Sequence, residues 1–169
     1  MTIISDTTIT RLLAIATLGI ASFALAGCSL LPGGNANSSS GSGTTTGDEA
    51  SDVFSIRIGD CLNDGDASGE VSTVPIVSCD EPHDSEAYDS GNLDDGSFPG
   101  DDAVKQAAEQ LCGPSFTAFI GLSYDESAYD YSYYFPTENS WSAGDREVMC
   151  VAYADDLSKV TGTLQNINK

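Results

Sequence analysis

Asp101-Asp102-Ala103-Val104-Lys105-Gln106-Ala107-Ala108-Glu109-Gln110-Leu111-Cys112 is the stretch on which the reading of the fold turns. Upstream, apolar and polar residues alternate by two; here the apolar spacing becomes that of a helix. Ala103, Val104, Ala107, Ala108, Leu111 and Cys112 fall on one side of it, and Asp101-Asp102 can cap its start. Gly113-Pro114 predicts a break or kink. Ser115 then restarts a helical segment carrying Phe116, Phe119 and Ile120.

Strands are expected on both sides of this unit. Val53-Phe54-Ser55-Ile56-Arg57-Ile58 alternates as a strand and stops at Gly59-Asp60. Val71 to Ser78 is a second β-rich run, in which Pro75 indicates an edge or a bulge. Ser85 to Leu93 is a third, ended by Asp94-Asp95-Gly96, and Tyr129 to Phe135 and Glu147 to Ala154 are two more. The order β-β-β-α-β-β predicts an α+β fold, a small antiparallel sheet with a helical unit packed on one face.

The cysteines point to export. Cys61, Cys79, Cys112 and Cys150 form no C-x-x-C pair, so zinc-finger or thioredoxin chemistry has no support, and an even count in a domain of this size reads as two disulfides. Three pairings are open from sequence. The one with the shortest loops joins Cys61 to Cys79 and Cys112 to Cys150, closures that loop entropy values at roughly 3 and 4 kcal/mol.

The fifth cysteine reads differently. Leu25-Ala26-Gly27-Cys28 closes an apolar run from Leu12 to Ala26. That run is ~15 residues, a helix of roughly 22 Å, short of the ~30 Å bilayer core. Residues 1–27 are therefore expected to be a lipoprotein signal peptide, with Cys28 the lipidated first residue of the processed chain. Residues 28–52, rich in Gly, Ser and Thr, are expected to be the lipidated N-terminus and a flexible linker, and residues 53–169 one globular domain. A coil of ~23 residues reaches roughly 26 Å, more than a Debye length from the membrane.

The formal charge of −20 spreads along the chain, and basic residues are few. Nucleic acid is excluded as a partner, because no basic cluster exists to neutralise phosphates. The surface repels anionic head groups, so the lipid on Cys28 must supply the membrane attachment.

Few residues offer chemistry. His83 is the sole histidine, set among carboxylates in Cys79-Asp80-Glu81-Pro82-His83-Asp84-Ser85-Glu86. It could act as a base with Glu86, but a structural role is the better reading, His83 donating to a carbonyl or carboxylate beside the Cys79 bridge. One histidine is too thin a ligand set for zinc, so neither a metal nor another cofactor is expected. Asn63-Asp64-Gly65-Asp66 fails the calcium-loop template, which would put Leu62 and Val71 at ligand positions. Tyr129, Tyr131, Tyr133 and Phe135 share one strand face, read as core in preference to a sugar platform, and Trp141 poses the same choice. Arg146 is expected to pair with Glu86 or Asp145.

These pieces resemble the septum-formation-related domain of exported and lipid-anchored actinobacterial proteins. The resemblance rests on Gly59-Asp60-Cys61, on Val77, Cys79, Pro82, His83 and Glu86, and on Phe98-Pro99-Gly100. It continues through Cys112, Phe116, Pro136-Thr137 and Ser140-Trp141 to Gly144-Asp145-Arg146, Val148, Cys150 and Thr161-Gly162-Thr163-Leu164. It implies an envelope location and a link to septum formation, and it transfers no catalytic residue. His83, Glu86, Trp141, Asp145 and Arg146 are then motif residues with a structural or binding role. The expected function is a non-enzymatic lipoprotein on the extracytoplasmic face of the cell membrane, binding an envelope protein. The alternative is a module for a cation, a peptide or wall glycan, and a His83–Glu86 hydrolase ranks below both.

Overall fold

The computed structural model describes residues 2–3 and 50–169. Cys28 and most of the expected leader and linker lie outside the described residues. Six strands form one antiparallel sheet: β2 (Ala50–Asp52), β3 (Cys61–Leu62), β5 (Thr73–Val77), β6 (Ser85–Asn92), β7 (Tyr129–Tyr134) and β8 (Glu147–Ala154), in the order β2-β5-β3-β6-β8-β7. Two short strands, β1 (Thr2–Ile3) and β4 (Gly69–Glu70), pair separately. Helix α1 (Asp101–Ile120) packs on the sheet, and a short helix α2 (Glu138–Ser142) precedes β8. The architecture is the α+β arrangement expected, with disulfides Cys61–Cys79 and Cys112–Cys150.

Each face of the sheet has its own core. On one, α1 buries Val104, Ala108, Cys112, Phe116 and Ile120, a strict every-fourth-residue row, against Tyr133, Phe135, Val148, Cys150 and Ala152. On the other, Val53, Ile56, Leu62 and Val74 meet Ala87, Tyr134, Met149 and Val151. Consecutive residues of β7 and β8 supply opposite cores, as the period of two requires. Tyr88 follows Ala87 of the far core and puts its ring on the helix side, where it stacks on Phe119 at 5.3 Å; the register then shifts by one residue before Asp89.

Three local expectations are corrected. Val53–Ser55 is a turn of 3₁₀ helix, not a strand, because the Asp52 carboxylate accepts the Phe54 amide and curls the chain. The strand lies at Ala50–Asp52, inside the expected linker. Helix α1 runs unbroken through Gly113-Pro114. Proline removes a helical donor, but the carbonyls nearby find others: Ser115 Oγ donates to Leu111 O at 2.9 Å, and Tyr88 OH to Cys112 O at 2.8 Å. Ala103, expected on the packed side, is exposed.

Candidate functional site

The motif residues gather into two clamps. The first holds the C-terminal segment. His83, fully buried, sits in a backbone bridge with Val160, its amide donating to Val160 O at 3.0 Å and Val160 N returning 2.9 Å to His83 O. Its Nδ1 lies 2.8 Å from Glu81 O. A carbonyl only accepts, so this contact places a proton on Nδ1. Nε2 is buried and has no hydrogen-bond partner among the described residues, so His83 and Glu86 are not hydrogen-bonded to each other.

Glu86, 3% exposed, is satisfied from one short stretch. Thr163 Oγ1 donates to Oε1 at 2.8 Å and the Leu164 amide to Oε2 at 2.6 Å, while the Leu164 side chain fills the helix-side core. Two donors, one a fixed backbone amide, are what a buried carboxylate needs to stay inside. Gly162 N donates to Cys79 O at 2.6 Å, so the Cys61–Cys79 bridge belongs to the same knot. Ligand-capable atoms of Cys61, Cys79 and Glu86 lie within 4.8 Å of one another. Both sulfurs are spent in the disulfide and cannot serve as thiolates, so this cluster does not fit a metal ion.

The second clamp is built on α2. Thr137 and Ser140 make a reciprocal capping box, and Ser140 Oγ also donates to Asp145 Oδ2 at 2.8 Å. Asp145 Oδ1 accepts the Glu147 amide at 3.0 Å, which turns the chain into β8. The Arg146 guanidinium stacks 3.8 Å above the Trp141 ring and donates from Nη1 to Trp141 O at 2.9 Å and Asp145 O at 2.6 Å. The expected pairing with the carboxylate of Glu86 or Asp145 is therefore wrong: stacking over Trp141 directs the fork at two carbonyls. Among the described residues its ion-pair partner is Asp95 at 3.4 Å, 99% exposed, and Arg146 Nε makes no hydrogen bond there, so that contact counts for little. Trp141 Nε1 in turn donates to Gly96 O at 2.9 Å and its ring meets Phe98 edge-on, pinning the 94–98 loop.

A third polar group escaped the sequence reading. Asp64, 7% exposed, accepts from Ser85 Oγ at 2.6 Å and Tyr134 OH at 2.7 Å. Burial pushes its carboxyl above the ordinary carboxylate value, only partly offset by those two hydroxyls, and nearby Asp84 adds to the rise. Asp64 lies in the rejected calcium-like turn. There Lys159 Nζ already sits 2.9 Å from Asp84 Oδ1 and donates to Asn63 Oδ1, a cation in place of a metal. Only alternation across 70 residues of chain, linking Asp64 to Tyr134, could have signalled it.

The tyrosine row faces α1, as a core row should. Tyr131 and Tyr133 donate to the two oxygens of Glu109 at 2.8 and 3.0 Å, and burial drives both phenols up. Among the described residues, two shallow grooves of about 730 and 630 Å³ share Glu70 and Asn139, and one of them is rimmed by Ser140 and Asp145 of the second clamp.

Among the described residues no helix is long and apolar enough to cross a membrane. No curated protein and no solved structure matches the chain. A family described as septum formation matches residues 58–169, the stretch that carries both clamps and both disulfides. This chain belongs to the septum formation family.

Proposed function

We propose that this chain is a non-enzymatic lipoprotein of the cell envelope, held by lipid on Cys28 at the extracytoplasmic face of the cell membrane. Its folded part serves septum formation by binding another envelope protein. One observation supports this most: the polar residues of the motif are consumed in holding the domain together. His83 and Glu86 lie under the surface, and Asp145 and Arg146 bond to neighbours within six residues. A general acid or base must reach a substrate, and a buried, internally bonded carboxylate does not. The open surface is instead acidic groove, suited to recognition.

Photo-crosslinking in intact cells tests the reading, with the label at Asn139, an exposed residue shared by both grooves. A discrete adduct with one envelope protein is expected, and its loss on Cys28→Ala follows from the tether. Only diffuse labelling of abundant neighbours would overturn it. Mass spectrometry of the processed protein checks the anchor separately: acyl chains on Cys28 are expected, and a bare cysteine contradicts it.

A further inference from the structure

Strand β4 stands apart from the six-stranded sheet and is two residues long, yet it is paired. Thr2–Ile3 lies antiparallel to it, Thr2 opposite Glu70 and Ile3 opposite Gly69. The pairing is made across more than sixty residues of chain, by a segment that also lies near β7. Gly69 has positive φ and open space where a Cβ would stand, so another backbone can approach closely.

The surroundings of this edge are those of a strand-binding groove. Successive side chains of an added strand point to opposite faces and need a receptacle on each. The two grooves meet at Glu70 and Asn139. The larger has Phe54, Val71 and Ala143 among its lining, with Phe54 49% exposed. The smaller is closed by Phe135. The acids Glu70, Asp101, Glu138 and Asp145 line them against a single cation, Lys105. Four carboxylates to one ammonium select a basic guest.

We infer that the β4 edge is a strand-addition site for an extended, basic segment of a partner protein, an edge whose capacity to take a strand is shown by its pairing with Thr2–Ile3. The vacating of the edge rests on the function proposed above, in which residues 1–27 are removed from the processed protein. Main-chain pairing to Gly69–Glu70 then supplies the affinity, and the paired grooves supply the choice of side chains.

The test uses the hexapeptide KTIISK, the chain's own Thr2–Ser5 between lysines, labelled for fluorescence anisotropy. Three preparations are compared: the unprocessed chain, the processed lipidated protein taken from membranes, and the unprocessed variant Ile3→Pro, whose proline disfavours a paired strand. The peptide is expected to bind the lipidated protein and Ile3→Pro at least tenfold more tightly than the unprocessed chain. N-methylation of alternate peptide amides, or Glu70→Lys in the protein, weakens binding at least tenfold. Equal affinity of the methylated peptide, or no binding to Ile3→Pro at millimolar concentration, overturns the inference. Should the membrane protein still carry its leader, the tether reading fails while the Ile3→Pro comparison still decides this one.

Discussion

Asp64 is a carboxylate inside the protein with two hydroxyl donors and no cation touching it, and its titration has a definite sign. Its folded value is raised above 3.8, chiefly by burial, so the folded state holds the proton more tightly than the unfolded one. The stabilisation is full below the unfolded value and is lost as pH rises through the folded one. Asp64→Asn keeps an acceptor for one hydroxyl and a donor for the other, since either hydroxyl can reverse its role. We expect urea midpoints of wild type to fall, relative to Asp64→Asn, between pH 4 and neutrality. Parallel curves across that window would contradict the assignment. Asp84, Lys159 and Tyr134 surround the site and are unchanged in the comparison. Arg146 gives a second residue-scale prediction. Lysine cannot stack flat on Trp141 while reaching two carbonyls, so Arg146→Lys should cost about 1–2 kcal/mol. Trp141 is the sole tryptophan, so its emission reports the loosened clamp directly as a red shift.

Helix α1 shows which elements could be read from sequence and which could not. The four-residue apolar spacing from Val104 to Ile120 is local, and so are the alternations of β6, β7 and β8; each was legible. The continuity of α1 through Pro114 was not, because carbonyls beside it take side-chain donors, one of them Tyr88 OH from another strand. Arg146 was misassigned for a local reason: charge suggested a carboxylate, but the ring five residues back, stacked beneath it, set the direction. At the helix end, Gly121 takes a left-handed conformation at φ 89°, and a Cβ there would meet Asn168 Oδ1 at 2.6 Å. Gly121→Ala should therefore lower stability by about 1 kcal/mol or more in thermal unfolding, the reverse of alanine's usual benefit in helices. The edge strand β7 protects itself. Ser127 Oγ and Asp130 Oδ1 accept the Tyr129 and Tyr131 amides, the same edge groups an incoming strand would need. That contrast with β4 is part of why strand addition is assigned to one edge and not the other.

On the scale of the whole domain, two closures and two cores hold a chain of net charge −20 together. Cys61–Cys79 ties β3 to the end of β5 over a separation of 18, and Cys112–Cys150 ties α1 to β8 over 38. The longer loop loses more entropy in the unfolded chain, so Cys112→Ala/Cys150→Ala should cost roughly 4 kcal/mol against roughly 3 for Cys61→Ala/Cys79→Ala. Denaturant titration of the two double variants checks the order, and the reverse order would show that native strain, not loop length, governs. The pairing was legible as one of three from chain separation. The motif itself was legible as positions but not as roles, because His83, Glu86 and the 160–164 segment meet only through tertiary packing.

The central claim is that Glu86 clamps the C-terminal segment onto the domain, and the Leu164 amide reports it. Hydrogen exchange at that amide should be strongly protected in the intact protein. It should quicken at least tenfold in Glu86→Gln, with protection in α1 and β8 unchanged. Equal exchange at Leu164 in the two proteins would mean that Glu86 does not hold the C-terminal segment, and the clamp reading would fail.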